Sequence, residues 1–210
     1  MRRTRIKVCG MREVDQVSAL VDIGVDAIGM IFFDKSPRNV SIEKAKEIRK
    51  VIPAFVDLVG VFVDKDVDEI NAISADVGLN RVQLHGDQAA DFASSLNCSY
   101  IKVIRVESIK VITTKIKEHP HADAFLLDTF AQHAFGGTGE KIPEEMLPKP
   151  LPKNIILAGG LNDNNINSAL QFEPFAVDVN SGVEISPGNK DIQKVKKMIQ
   201  EIRKFDHDNC

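Results

Sequence analysis

The 210-residue chain contains no tryptophan and a single tyrosine. A platform of aromatic rings for stacking bases is therefore not to be expected. A basic excess is missing too. The 27 Lys and Arg stand against 30 Asp and Glu, a formal net charge of -3, so no nucleic-acid partner is expected. Cysteine is scarce. Cys9, Cys98 and Cys210 fall at no metal-ligand spacing, and an odd count in a chain of this length fits the reducing cytoplasm. No stretch approaches the roughly 20 apolar residues of a membrane span. The apolar run behind Met1-Arg2-Arg3-Thr4-Arg5 is too short for a signal peptide and contains Lys7. There is no Ser/His/Asp order for a hydrolase, and no Walker or Rossmann glycine pattern. A cytoplasmic protein with no metal and no membrane partner is the expectation.

The composition that remains is ordinary for a globular protein, with 43% apolar and 27% charged residues. Its order is not ordinary. Short β-branched runs alternate with helical spacing along the whole chain. Strands are expected from Ile6 to Gly10, Ala27 to Phe33, Asp57 to Val63, Arg81 to Gly86, Tyr100 to Val106, Ala124 to Thr129, Ile155 to Gly160 and Ala176 to Asn180. Helices are expected from Val14 to Val21 and from Ile42 to Val51 with Ser41 as N-cap. Others should run from Val67 to Ser74, Asp87 to Leu96, Ser108 to Glu118, Asn162 to Leu170 and Asp191 to Lys204. Between the sixth and seventh strands only a single turn opened by Pro143 and running through Leu147 fits, because Pro148, Pro150 and Pro152 break the chain after it. Eight strand–helix units predict a (β/α)8 TIM barrel, one domain over residues 1–210. A doubly wound sheet would normally stop at five or six strands.

Ligands of such a barrel bind where strands end. The strand ends here carry Cys9, His85, Arg105, Asp128 and Asn180, with Lys7, Gln83 and Asp178 two residues earlier on the same faces. A Lys7–Cys9 pair alone reads equally well as a core thiol beside a lysine that reaches water. So many polar groups at one end of a barrel point instead to a site, since each costs on the order of 1–3 kcal/mol if buried unpaired. Lys7 beside Cys9 would favour the thiolate. Cys9 and Asp128 then read as a base and an acid for proton transfer. Gly159-Gly160 and Ser181-Gly182 follow strands seven and eight, the usual phosphate position, where converging N–H groups and a helix N-terminus hold an anion. The cluster Gly136-Gly137-Thr138-Gly139 reads as a lid or a further phosphate cradle. Of the five histidines, all but His85 fall in loops or at termini and are expected to be solvated.

The ordered set Lys7-Val8-Cys9-Gly10, Ser36-Pro37-Arg38, Val61-Phe62-Val63, Gln83-Leu84-His85-Gly86, Leu127-Asp128, Gly136-Gly137-Thr138-Gly139, Leu157-Ala158-Gly159-Gly160-Leu161 and Asp178-Val179-Asn180-Ser181-Gly182-Val183-Glu184 resembles the phosphoribosylanthranilate isomerases of tryptophan biosynthesis. Each motif is weak; the series is specific. Glu140-Lys141-Ile142-Pro143 departs from the Phe-Asp-Trp that often follows the glycine cluster in this family. The resemblance implies an Amadori rearrangement of a phosphorylated small molecule without cofactor or metal, in a monomer or homodimer. It gives Cys9 as general base and Asp128 as general acid, and sets Arg38 against the anthranilate carboxylate. Lys7, Gln83, His85, Gly137 and Asp178 become substrate-binding, and Gly159, Gly160, Ser181 and Gly182 phosphate-binding. A different phosphate-binding barrel enzyme, or a sugar-phosphate sensor, has no assigned task for Cys9, Asp128 and Arg38 together.

Overall fold

The computed structural model describes residues 3–129, 142–152 and 154–209. Eight parallel strands close on themselves: β1 (Arg5–Val8), β2 (Ala27–Ile31), β3 (Asp57–Phe62), β4 (Arg81–Leu84), β5 (Tyr100–Val106), β6 (Ala124–Thr129), β7 (Ile155–Leu157) and β8 (Ala176–Val179). Around them lie α1 (Val14–Asp22), α2 (Ile42–Arg49), α3 (Val67–Val77), α4 (Ala90–Ser94), α5 (Ile109–Glu118), α6 (Ile166–Leu170) and α7 (Ile192–Asp208). The (β/α)8 barrel expected from the alternation is present. The turn after Pro143 is a short 3₁₀ helix, Glu144–Met146.

Strand periodicity sorts the apolar residues into two layers. Ile6, Val8, Val177 and Val179 point outward to the helices, whereas Val59, Val103, Leu126 and Ile156 fill the barrel itself. The inward positions near the C-terminal ends break this rule and are polar. Lys7 stands opposite Asp178 where β1 meets β8, and Arg105 opposite Asp128 where β5 meets β6. The N-terminal face is closed differently, by surface ion pairs: Arg81 bridges Asp57 and Asp123, and Arg3 holds Asp26. The chain ends are tied together as Thr4 donates N–H and hydroxyl to the two oxygens of Asp206 on α7.

Several boundaries differ from the sequence expectation. Six strands stop one to three residues early, at Val8, Ile31, Phe62, Leu84, Leu157 and Val179, because the barrel splays at its mouth and the regular ladder ends there. Cys9 and His85 therefore sit just past their strands. Each still keeps one backbone bond to the neighbouring strand, Cys9 N–H to Val179 O at 2.9 Å and His85 N–H to Phe62 O at 2.8 Å. α3 runs on to Val77 because Ile70, Ile73 and Val77 continue the buried stripe until Gly78 turns left-handed. α4 and α6 are single short helices of five residues. α7 reaches Asp208. A hairpin of β9 (Glu184–Ser186) and β10 (Asn189–Lys190) follows β8 and was not expected. His119 is buried, 1% exposed, with Nδ1 3.4 Å from the Tyr100 hydroxyl; the loop that holds it folds under β5 rather than into water.

Ser41, Ser108 and Asp191 cap α2, α5 and α7 through side-chain acceptors, and Asp66 and Glu69 form a reciprocal capping box on α3. Asp66→Ala removes the more important half of that box, in the loop that follows β3, without itself lining the barrel mouth. It should lower stability by about 1 kcal/mol in urea unfolding and leave turnover unchanged. An unaltered midpoint would show that packing of the Ile70–Val77 stripe alone holds the helix.

Candidate active site

The mouth of the barrel encloses a cavity of about 90 Å³ whose walls include Cys9, Gln83, His85, Asp128, Asp178 and Asn180. The loops carrying Arg38, Gly159-Gly160 and Ser181-Gly182 complete it. Most of the residues singled out in the sequence thus converge, from six different strand ends. Gly137 lies outside the described residues. Arg105 lies at the neighbouring opening between β4 and β5, where its Nη2 donates to His85 O at 3.4 Å.

Lys7 does not line this cavity but lies beneath it, in the wall of the opening on the N-terminal face. Its Nζ donates to Asp178 Oδ2 at 2.9 Å, and both side chains are under 10% exposed. Burial opposes the charge on Lys7, but Asp178 and Cys9 outweigh it and hold the ammonium. Gly29 backs this corner, since a Cβ there would lie 2.8 Å from Cys9 Sγ and 3.1 Å from Lys7 Nζ. The expectation that Lys7 favours the thiolate of Cys9 holds for its own effect but not for the balance. Burial pushes the Cys9 thiol up, and Asp178 adds to that; Lys7 and Lys190 oppose the rise without cancelling it. Lys7 is accordingly a partner of Asp178 first and a candidate ligand contact second.

Asp128 stands across the mouth. Its Oδ1 accepts from the Thr129 N–H at 2.9 Å, and its Oδ2 faces His85 Nε2 at 3.4 Å. Three buried side-chain atoms in this region have no hydrogen-bond partner among the described residues: Gln83 Oε1, His85 Nδ1 and Asp178 Oδ1. Orphan atoms of this kind in a concave site await a ligand or water. Among the described residues no three His, Cys, Asp or Glu side chains converge as a metal site requires.

The phosphate loops meet closely. A Cβ at Gly182 would lie 2.0 Å from the carbonyl oxygen of Leu161, so only glycine lets the loop after β8 rest on the loop after β7. The N–H groups of Gly159, Gly160, Ser181 and Gly182 donate to no acceptor among the described residues. The expected helix N-terminus behind Gly160 is not there. Asn162 and Asn165 instead fold a turn, both donating side-chain N–H to Gly160 O at 3.1 and 2.8 Å, and α6 begins only at Ile166. These loops thus offer backbone N–H groups rather than a helix N-terminus.

Arg38 is not a free cation. Its Nε and Nη2 grip Glu184 at 2.9 and 2.6 Å, leaving Nη1 and the outer hydrogen of Nη2 for a ligand. Glu184 and Lys190 are the residues that sequence reasoning missed. Glu184 stood in the motif string without a task, and Lys190 lies in a hairpin too short to read as strands. Lys190 is fully buried, with its Nζ 2.7 Å from Glu184 Oε1.

The chain matches the family model described as N-(5'-phosphoribosyl)anthranilate (PRA) isomerase over residues 6–201. The chain belongs to the N-(5'-phosphoribosyl)anthranilate isomerase family. It is similar to the isomerase of that name from Legionella pneumophila (strain Corby), 42% identical over 201 residues, which cover 95% of this chain and 97% of that one. A crystal structure of a phosphoribosyl anthranilate isomerase in complex with reduced 1-(o-carboxyphenylamino)-1-deoxyribulose 5-phosphate superposes with a TM-score of 0.83 at 33% identity, covering 96% of this chain and 99% of that one. Monomers made from the dimeric Thermotoga maritima enzyme superpose with a TM-score of 0.81 at 31% identity, over 96% and 99% of the two chains. The protein is thus an isomerase of tryptophan biosynthesis.

Burial works against the charge of Glu184, but hydrogen bonds from Arg38, Lys190 and the Gly188 N–H outweigh it and hold its carboxyl down to about 2. A folded-state value below the ordinary one of about 4.3 means that its stabilising contribution is present above that value and is lost as pH falls toward about 2. Glu184→Gln should therefore cost about 3 kcal/mol or more at pH 7, where it strands two buried cations. The gap to wild type in urea unfolding should narrow between about pH 4.5 and pH 2. A gap that is constant across that window would mean that Glu184 is not ionised in the folded protein.

Proposed function

We propose that the protein converts N-(5'-phosphoribosyl)anthranilate into 1-(2-carboxyphenylamino)-1-deoxyribulose 5-phosphate by an Amadori rearrangement. Cys9 is its general base and Asp128 its general acid, and one barrel domain over residues 1–210 carries both. The observation that carries the reading is the placement of Cys9, just past β1, and Asp128, on β6, at one cavity, in a chain of this family. Asp128 protonates the furanose ring oxygen, and the ring opens to a Schiff base. Cys9, as thiolate, takes the proton from C2 to give an enolamine. The enol proton is then lost and C1 gains one, which leaves the ketone. Atoms and electrons balance within the substrate, and the imine is the only electron sink needed. The unengaged N–H groups of Gly159, Gly160, Ser181 and Gly182 suit the phosphate. The outer fork of Arg38 suits the carboxylate. Gln83, His85 and Asp178 offer their orphan atoms to the ribose hydroxyls.

Freshly prepared phosphoribosylanthranilate should lose its fluorescence when the protein is added. Cys9→Ala and Asp128→Asn should each lower kcat by about 10²-fold or more, with smaller changes in KM. Because burial pushes the Cys9 thiol up, kcat/KM should still be rising with pH above the ordinary thiol range near 8.5. Near-normal turnover in Cys9→Ala would return Cys9 to the status of a buried core residue.

The same reading takes the cytoplasm as the compartment, since a catalytic thiol must stay reduced, and a homodimer as the assembly. Phe55 supports the dimer. It is fully exposed, in left-handed backbone at φ 71°, beside the start of β3 on the N-terminal face. That face opens into a cavity of about 330 Å³ floored by Ala27, Ala124 and Ala176. An exposed aromatic and an apolar hole on one face are self-complementary under a twofold axis. Phe55→Glu should shift the protein to monomer in sedimentation while leaving the fluorescence assay intact. A monomeric wild type would discard the dimer.

A further inference from the structure

Lys190 is the most deeply buried charge at the mouth and has no task in the reaction as written. Its ammonium has three N–H donors, and the structure accounts for three acceptors: Asn180 O at 3.2 Å, Asn180 Oδ1 at 2.7 Å and Glu184 Oε1 at 2.7 Å. An ammonium can only donate. The amide of Asn180 must therefore turn its oxygen toward Lys190, which leaves its NH₂ group on the opposite side. Asn180 lines the cavity, and that NH₂ donates to no acceptor among the described residues. The same corner holds Arg38. A Cβ added at Gly10 would lie 2.8 Å from both Asn180 Oδ1 and Arg38 Cδ, so the two side chains close over Gly10 together. Glu184, held by the same ammonium, fixes the inner fork of Arg38 and leaves its outer fork facing the mouth.

We propose that Asn180 is a substrate-contacting residue whose NH₂ group donates to an oxygen of the bound substrate, and that Lys190 is the positioning residue that orients this amide directly and Arg38 through Glu184. This rests on the isomerase reading above. The two roles of Lys190 have one origin: a single buried cation sets the amide of Asn180 directly and the guanidinium of Arg38 through Glu184. A substrate oxygen on the side of Asn180 away from Lys190 meets an N–H donor, because the amide oxygen is turned to the ammonium.

The test compares Asn180→Asp, Asn180→Ala and Lys190→Met. Binding of reduced 1-(o-carboxyphenylamino)-1-deoxyribulose 5-phosphate is followed by calorimetry, alongside KM and kcat. Asn180→Asp keeps the acceptor for Lys190 and the side-chain volume but replaces the NH₂ donor by an anionic oxygen. It should bind the analogue at least about 10-fold more weakly than wild type, and more weakly than Asn180→Ala. A merely structural role predicts the opposite order, because aspartate keeps the Lys190 contact that alanine loses. KM should rise more than kcat falls. Lys190→Met should weaken binding as well, and the double variant with Asn180→Asp should lose less than the product of the single losses, since one acts through the other. If Lys190→Met does not fold, the two Asn180 variants decide alone. Equal binding by wild type, Asn180→Asp and Asn180→Ala overturns the proposal while leaving the isomerase reading intact. A wild type that neither binds the analogue nor isomerises the substrate overturns the isomerase reading itself.

Discussion

A lysine and an aspartate inside a β-barrel can be tolerated only as a pair. Lys7 and Asp178 are both almost fully buried, and their contact at 2.9 Å is the condition for either to be there. Removing one partner of such a pair typically costs about 3–5 kcal/mol because the other is stranded. The two residues are 171 positions apart in sequence and meet only where β1 pairs with β8. That seam is the one that closes the barrel. Closure of the fold and assembly of the site are therefore the same event, and Cys9 is anchored by the same seam through its N–H to Val179 O.

The pair also bears on the state of the thiol. Lys7 favours a thiolate at Cys9, yet desolvation prevails. Burial thus works toward the protonated thiol, the less reactive form, and the two lysines toward the thiolate. Lys7 answers Asp178, and Glu184 answers both Arg38 and Lys190, two cations around one carboxylate. In the proposed reading an anionic substrate group that enters finds the outer fork of Arg38 at one end of the mouth. At the other end it finds only neutral N–H groups, at Gly159-Gly160 and Ser181-Gly182. A molecule with a carboxylate at one end and a phosphate at the other is matched at both.

Much of this was legible in the sequence, because the signals are local. β5 and β6 run from Tyr100 to Val106 and from Ala124 to Thr129 as their apolar runs indicate, and the caps at Ser41, Ser108 and Asp191 follow from short-range hydrogen bonding. Strand ends were less legible, since the loss of ladder bonds at the mouth depends on how far the barrel splays. The early end of β7 and the late start of α6 come from Asn162 and Asn165 bonding Gly160, a competition between side chain and helix that composition does not reveal. Lys7 helps the Cys9 thiolate as their adjacency in sequence indicates, whereas the burial of Cys9 that outweighs this help is not visible in that adjacency. Glu184 and Lys190 escaped for a related reason: their function lies in contacts with Arg38 and Asn180, not in any spacing of their own.

The hairpin that carries these two residues has strands of only three and two residues and holds a fully buried charge, which raises the question of what keeps it in place. The answer lies in α7. Lys190 is followed directly by Asp191, whose side chain caps the helix by accepting from the N–H groups of Gln193 and Lys194, while its own N–H donates to Val183 O at 2.7 Å. On the other side the Lys190 N–H donates to Gln16 on α1 at 3.1 Å. The residue is thus fixed between a helix N-terminus, a neighbouring helix and the loop after β8, before its side chain makes a single contact. α7 is in turn tied to the start of β1 by Asp206 and Thr4. The last helix consequently does more than cover the barrel. It sets the position of the ammonium from which Asn180, Glu184 and Arg38 take their orientation, and so carries the closing seam of the fold into the geometry of the mouth.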